Sequence, residues 1–137
     1  MIPIRSIAAL LLVAFTCGQL QALDGRAMLQ AIAIKEQGYK QGAAGEKGPW
    51  QMMPKTVMDS GGSDQVAAAF HLRWIERQLK SAGVDPSPFN CALVWNAGLQ
   101  RTISGQAKVV SYQYACDVNR IYRSITKQPA SLPAPVR

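Results

Sequence analysis

One histidine, three cysteines and eight carboxylate side chains are all that 137 residues supply of the groups most used in catalysis. A lone His71, set beside a core stripe, gives no serine or cysteine triad of the usual kind. It reads as a packed or half-exposed structural residue. The HExxH and CxxC zinc patterns are absent as well, so no metal and no organic cofactor is implied. Long apolar runs are also missing: the longest, Ile7 to Phe15, is too short to span a bilayer comfortably. There is no internal repeat, no dense run of basic residues and no sign of a second domain.

That one apolar run follows Arg5 and gives way to small and polar residues up to Ala22, which is the pattern of a secretory signal over residues 1–22. The expected cut follows Leu20-Gln21-Ala22, with Leu20 a poor fit to its position. A lipoprotein route through Cys17 is the alternative, and Phe15-Thr16 is a poor approach to it. The expected product is exported to the periplasm or secreted, with no stable membrane insertion once the signal is removed. One domain, residues 23–127, follows, and a chain of this size buries roughly 65% of its unfolded surface, enough for a core without a metal. Residues 128–137, QPASLPAPVR, read as a proline-rich disordered tail. The net charge of +7 loses only Arg5 with the signal. Outside the cytoplasm such an excess meets anionic surfaces and wall polymers rather than nucleic acid, unless it is ordinary solvated charge. Export also permits a disulfide between Cys91 and Cys116, which lie in segments read as helical and can pair only if those helices are neighbours. Two buried free thiols are the alternative.

The spacing predicts helices through most of the domain. Asp24 caps RAMLQAIAIKE, where Leu29, Ile32, Ala33 and Glu36 keep the i, i+3, i+4, i+7 rhythm of one face, and Gly38 stops it. Ala27, Ala31 and Ile34 make the opposite face apolar too, so this helix is expected to be central and buried. Pro54 opens a short helix that ends at Gly61-Gly62. Ser63 or Asp64 caps a longer one with the stripe Ala68, Leu72, Ile75, Leu79, flanked by Val66, Phe70 and Trp74, and Gly83 ends it. Ser87 and Pro88 open PFNCALVWNAG, which ends at Gly98. The last helix runs from about Val109 to Ser124, with Tyr114, Val118, Ile121 and Tyr122 on its apolar side.

Between the first two helices, Gly42, Gly45 and Gly48 recur at intervals of three, a spacing suited to a tight loop or small hairpin that brings backbone amides close to a ligand. A surface turn without function is the plain alternative. Glu36 stands at the entrance of this loop on a stripe expected to be buried. Desolvation and the negative end of the helix dipole both act to raise its pKa, which is what a general acid needs. Asn96 ends an apolar helix, where a buried amide must find partners. By itself it would be a helix-end cap.

In this order, Glu36, the loop Gly45-Glu46-Lys47-Gly48-Pro49-Trp50-Gln51-Met52-Met53-Pro54, the turn Trp95-Asn96-Ala97-Gly98 and the late Tyr114 resemble the lysozyme-like lytic transglycosylases. That family's pattern is a glutamate followed by serine, a loop ending in G-x-x-Q-x-x-P, an aromatic-Asn-Ala-Gly turn and a late tyrosine. The resemblance spans about residues 25 to 124. Gln37 stands where serine is usual, Trp50 where methionine is usual and Trp95 where tyrosine is usual, and the interval from Glu36 to Gln51 is a few residues short. The implied fold is all-α in the lysozyme-like α+β sense, a compact helical domain with a short irregular or β-hairpin segment beside the active site.

The resemblance implies that Glu36 acts as acid and then base on the bond between N-acetylmuramic acid and N-acetylglucosamine in peptidoglycan glycan strands, closing a 1,6-anhydro ring. Gln51 matches the family's glutamine near the acetamido group, Asn96 the asparagine beside the glutamate, and Tyr114 the tyrosine facing the cleft. Trp50 and Trp95 are added here as stacking surfaces, with core packing the alternative for both. Water-using glycosidases normally place a second carboxylate roughly 5 to 9.5 Å from the first. Glu46 is the candidate for that role or for substrate binding, and otherwise a loop residue paired with Lys47 or Arg101. The expected enzyme is a monomer; a hydrolytic muramidase using Glu46 and an inactive wall-binding accessory protein are the rival readings.

Overall fold

Asp24 does at the start of the first helix what its residue type predicts: its Oδ1 accepts from the Ala27 amide at 3.1 Å. The computed structural model describes residues 22–36, 49, 50, 52, 54–59, 61 and 63–127. The expected signal up to residue 21, the glycine loop with Glu46, Gln51 and the tail 128–137 lie outside the described residues. Within them the order is α1 (Gly25–Glu36), α2 (Pro54–Asp59), α3 (Asp64–Ser81), α4 (Pro88–Ala97), α5 (Leu99–Ile103) and α6 (Val109–Thr126). Helix takes 76% of the described residues and strand almost none, so the class is all-α. Extended pairing is confined there to one bridge residue, Met52.

Local chemistry sets the boundaries. Ser63 Oγ accepts from the Val66 amide and Ser87 Oγ from the Asn90 amide, each satisfying an N–H that the first turn of a helix leaves without a partner. Pro88 then occupies the first turn of α4, where its missing N–H costs nothing. Gly98 ends α4 at φ 89° and ψ 159° and immediately starts α5, a five-residue helix that hydrophobic periodicity does not reveal.

Helix α6 is the element against which the others are arranged. It packs most extensively on α4 and next on α1, while α3 contacts α1, α4 and α5, and α2 lies on α3. The fully buried side chains Met28, Ile32, Ile75, Leu79, Cys91 and Val118 come from all four of the longer helices and meet in one core. No described helix is long and apolar enough to cross a membrane.

Several expectations about burial need correction. The stripe Ala68, Leu72, Ile75, Leu79 is buried as expected, but its flank Val66, Phe70, Trp74 is exposed at 42%, 59% and 39%. Helix α1 is not buried all round: Ala27 and Ala31 are, while Ile34 is 44% exposed and Arg26 and Gln30 face solvent. The expected disulfide is not formed. Helices α4 and α6 are neighbours, as pairing requires, yet Cys91 is buried and Cys116 exposed, and both are free thiols. Cys116 lies two residues from both Tyr114 and Val118, roughly 200° around the helix from each, so the face that buries them turns it outward. The other reading, two buried thiols, fails at Cys116 for the same reason.

Candidate active site

Side chains distant in sequence meet at the end of α1. Leu29 and Ile32 dock that helix, and its last residue, Glu36, emerges half-buried rather than on a fully buried stripe. There the Tyr114 hydroxyl donates to Glu36 Oε1 at 2.8 Å, across 78 positions of sequence. Tyr114 itself is 6% exposed, so its ring is part of the core while its oxygen reaches the rim. A phenol donating to one carboxylate oxygen fixes the orientation of the group; Oε2 makes no hydrogen bond among the described residues.

A second link stands beside the first. Lys35 Nζ contacts Asp117 Oδ2 at 2.8 Å, and Arg120 takes Asp117 Oδ1 at the same distance. Tyr114 and Asp117 are three apart on α6 and so share a face, just as Lys35 and Glu36 share the last turn of α1. The hydrogen bond from Lys35 holds the Asp117 carboxyl below its ordinary range, and the positive charge of Lys35 and Arg120 adds to the effect. With both oxygens engaged, Asp117 acts as a fastener of α1 to α6. Sequence reasoning missed it, because nothing local to Asp117 marks a partner 82 positions away.

The other expected residues divide. Trp50 is half-buried and its Nε1–H donates to the Leu29 carbonyl at 2.9 Å, which ties the indole to the middle of α1 and away from the Glu36 turn. Core packing thus accounts for part of its surface. Asn96 is exposed, contrary to the expectation of a buried amide, because the last turn of α4 leaves the core before Gly98. Trp95 is half-buried and meets the edge of His71 at 4.9 Å. His71 in turn stacks on Trp74 at 5.7 Å with the rings 9° from parallel. Burial pushes the His71 imidazole below its ordinary pKa, so it belongs to this aromatic tier as a neutral packing residue, in agreement with the structural reading.

No family model, curated protein or solved structure matches this chain. The site must therefore be judged on its own chemistry. Among the described residues no group of three or more His, Cys, Asp and Glu side chains is placed to hold a metal ion. A cleft of about 690 Å³ opens between α1 and α3 with Trp50 on its wall, and Ala33 is the last α1 residue to line it. Neither Glu36 nor Tyr114 is among its lining residues. The cleft and the Tyr114–Glu36 contact are thus separate features of the described residues.

Proposed function

We propose that this chain is a peptidoglycan lytic transglycosylase of lysozyme-like fold, with Glu36 as its single acid and base. The observation that supports this best is the Tyr114–Glu36 hydrogen bond. A sequence pattern that asks for an early glutamate and a late tyrosine in one cleft is answered by two side chains in contact from different helices. In the proposed reaction, protonated Glu36 gives its proton to the oxygen linking N-acetylmuramic acid to N-acetylglucosamine, and the bond from the anomeric carbon to that oxygen breaks. The muramyl C6 hydroxyl then adds to the anomeric carbon and its proton passes to the Glu36 carboxylate. No water is consumed, so one carboxylate serves both transfers, whereas hydrolytic enzymes of this kind use two.

Tyr114 orients Glu36 in this scheme, and the Lys35–Asp117 pair keeps the end of α1 against α6. Trp95 and the exposed amide of Asn96, both on the last turn of α4, are the described groups best suited to receive sugar. Export by the residue 1–22 signal would bring the enzyme to its polymer. Mass spectrometry of digested peptidoglycan tests the reading: anhydro-muramyl ends, lighter by one water than hydrolysed ends, are expected. Hydrolysed ends alone would replace it with a water-using muramidase, and binding without cleavage would leave an accessory protein.

A further inference from the structure

The cleft between α1 and α3 has a composition of its own. Its floor is apolar, with Leu29 and Leu72, the Trp50 indole forms a wall, and its rim carries Arg26, Arg73 and Glu76. At about 690 Å³ it falls within the range of ligand sites, which join an apolar body to a few polar groups. Trp50 is already held by its bond to the Leu29 carbonyl, so one wall needs no ordering when a ligand enters.

The charged trio indicates what the ligand carries. The ion pairs among the described residues are Lys35–Asp117, Lys55–Asp59 and Arg120–Asp117, so Arg26, Arg73 and Glu76 face the cleft without an ion-pair partner there. Arg73 and Glu76 are three apart on α3 and share a face, and Arg26 faces them from α1. Guanidinium groups recognise carboxylates with two parallel hydrogen bonds, and a half-buried carboxylate recognises an ammonium. Two cations and one anion around an apolar floor fit a short peptide that bears carboxylates and one amine.

We infer that this cleft binds the peptide stems of peptidoglycan, seating their carboxylates on Arg26 and Arg73 and their free amine on Glu76. The inference rests on the reading of Glu36 as a peptidoglycan-cleaving residue, and it deepens that reading by naming what the enzyme holds besides sugar. Because Ala33 lines the cleft and Glu36 lies one turn further along α1, a stem bound there would hang from a strand lying near the carboxylate.

The test is a titration of the full mature chain with stem peptides freed from peptidoglycan by an amidase and capped at the amino terminus so exposed, read by calorimetry and by tryptophan emission. Saturable binding is expected, weakened about tenfold or more in the double variant Arg26→Ala/Arg73→Ala and restored in part by Arg26→Lys/Arg73→Lys, which keeps charge without the fork. Glu76→Gln should weaken binding of stems with a free amine and leave acetylated stems unaffected. Glu36→Gln should bind stems as the parent does. Absence of saturable binding, or binding indifferent to all three rim residues, overturns the inference while leaving strand cleavage intact. Binding that follows the rim residues in a protein that cuts no strand supports the inference and removes the transglycosylase reading.

Discussion

Lys35 and Asp117 form their ion pair one residue from Glu36 on α1 and three residues from Tyr114 on α6, so the Tyr114–Glu36 contact and its fastener occupy the same crossing of two helices. Asp117 is held ionised by its partners in the folded chain, with a depressed pKa. The unfolded carboxyl binds a proton more readily, so the pair's contribution is present above the ordinary aspartate value near 3.9 and is lost as pH falls through the lower folded value. Asp117→Asn is expected to lower stability by less than about 1 kcal/mol, since the pair is partly exposed. Strand cleavage should fall further than stability does, because the end of α1 is less well held. Thermal melts and cleavage assays on the same samples compare the two losses.

Removing the Tyr114 hydroxyl tests whether orientation of Glu36 matters. Tyr114→Phe keeps the buried ring and removes the hydroxyl that donates to Glu36, so cleavage should drop about 10- to 100-fold with little change in melting temperature. Glu36→Gln should lose about 10²–10⁴-fold or more, as expected when an acid–base group is deleted. Cleavage unchanged in Glu36→Gln would remove the carboxylate from the mechanism.

The cysteines make a separate chemical prediction. Burial pushes the Cys91 thiol up to about 12, with the charges of Glu76 and Asp85 acting the same way, whereas Cys116 is exposed. Native protein should take one equivalent of a thiol reagent, at Cys116, over residues 23–127. Unfolding without reductant should open Cys91 as well. Two blocked thiols in the unfolded, unreduced chain would restore the disulfide.

His71 sets a second and milder pH window. Its folded pKa is lowered by burial, so between that value and the ordinary one near 6.5 the unfolded chain binds more protons than the folded one. Its contribution to stability is therefore complete above about 6.5 and declines as pH falls toward the folded value. Melting temperature should begin to drop as pH falls below about 6.5, and His71→Gln should flatten that slope. Tryptophan emission should change in the same range, because a protonated imidazole would lie against Trp74 and Trp95.

What could be read from the chain was what is encoded locally. Asp24, Ser63 and Ser87 cap helices through bonds that reach three residues, and Leu72, Ile75 and Leu79 are buried at the spacing of one helical face. The short α5 lacks enough residues to show a period. The exposure of Ile34, Phe70 and Trp74 could not be read, because apolarity does not say how wide a stripe its neighbours cover. The Lys35–Asp117 pair joins positions 82 apart and leaves no local trace. Tyr114 could be singled out only by its resemblance to a family pattern, whereas Glu36 also stood out by its place on an apolar stripe before the glycine loop; nothing local to either segment required that they meet.

Gly98 bears differently on that pattern. Its φ of 89° with ψ of 159° lies in a region essentially reserved for glycine, although a methyl group added there would meet no atom within 4 Å. What excludes other residues is handedness and not room. Of the four letters in Trp95-Asn96-Ala97-Gly98, the glycine is required by the corner between α4 and α5 whatever the protein does. A change of function could release Asn96 and Glu36, while Gly98 would persist as long as the chain turns there.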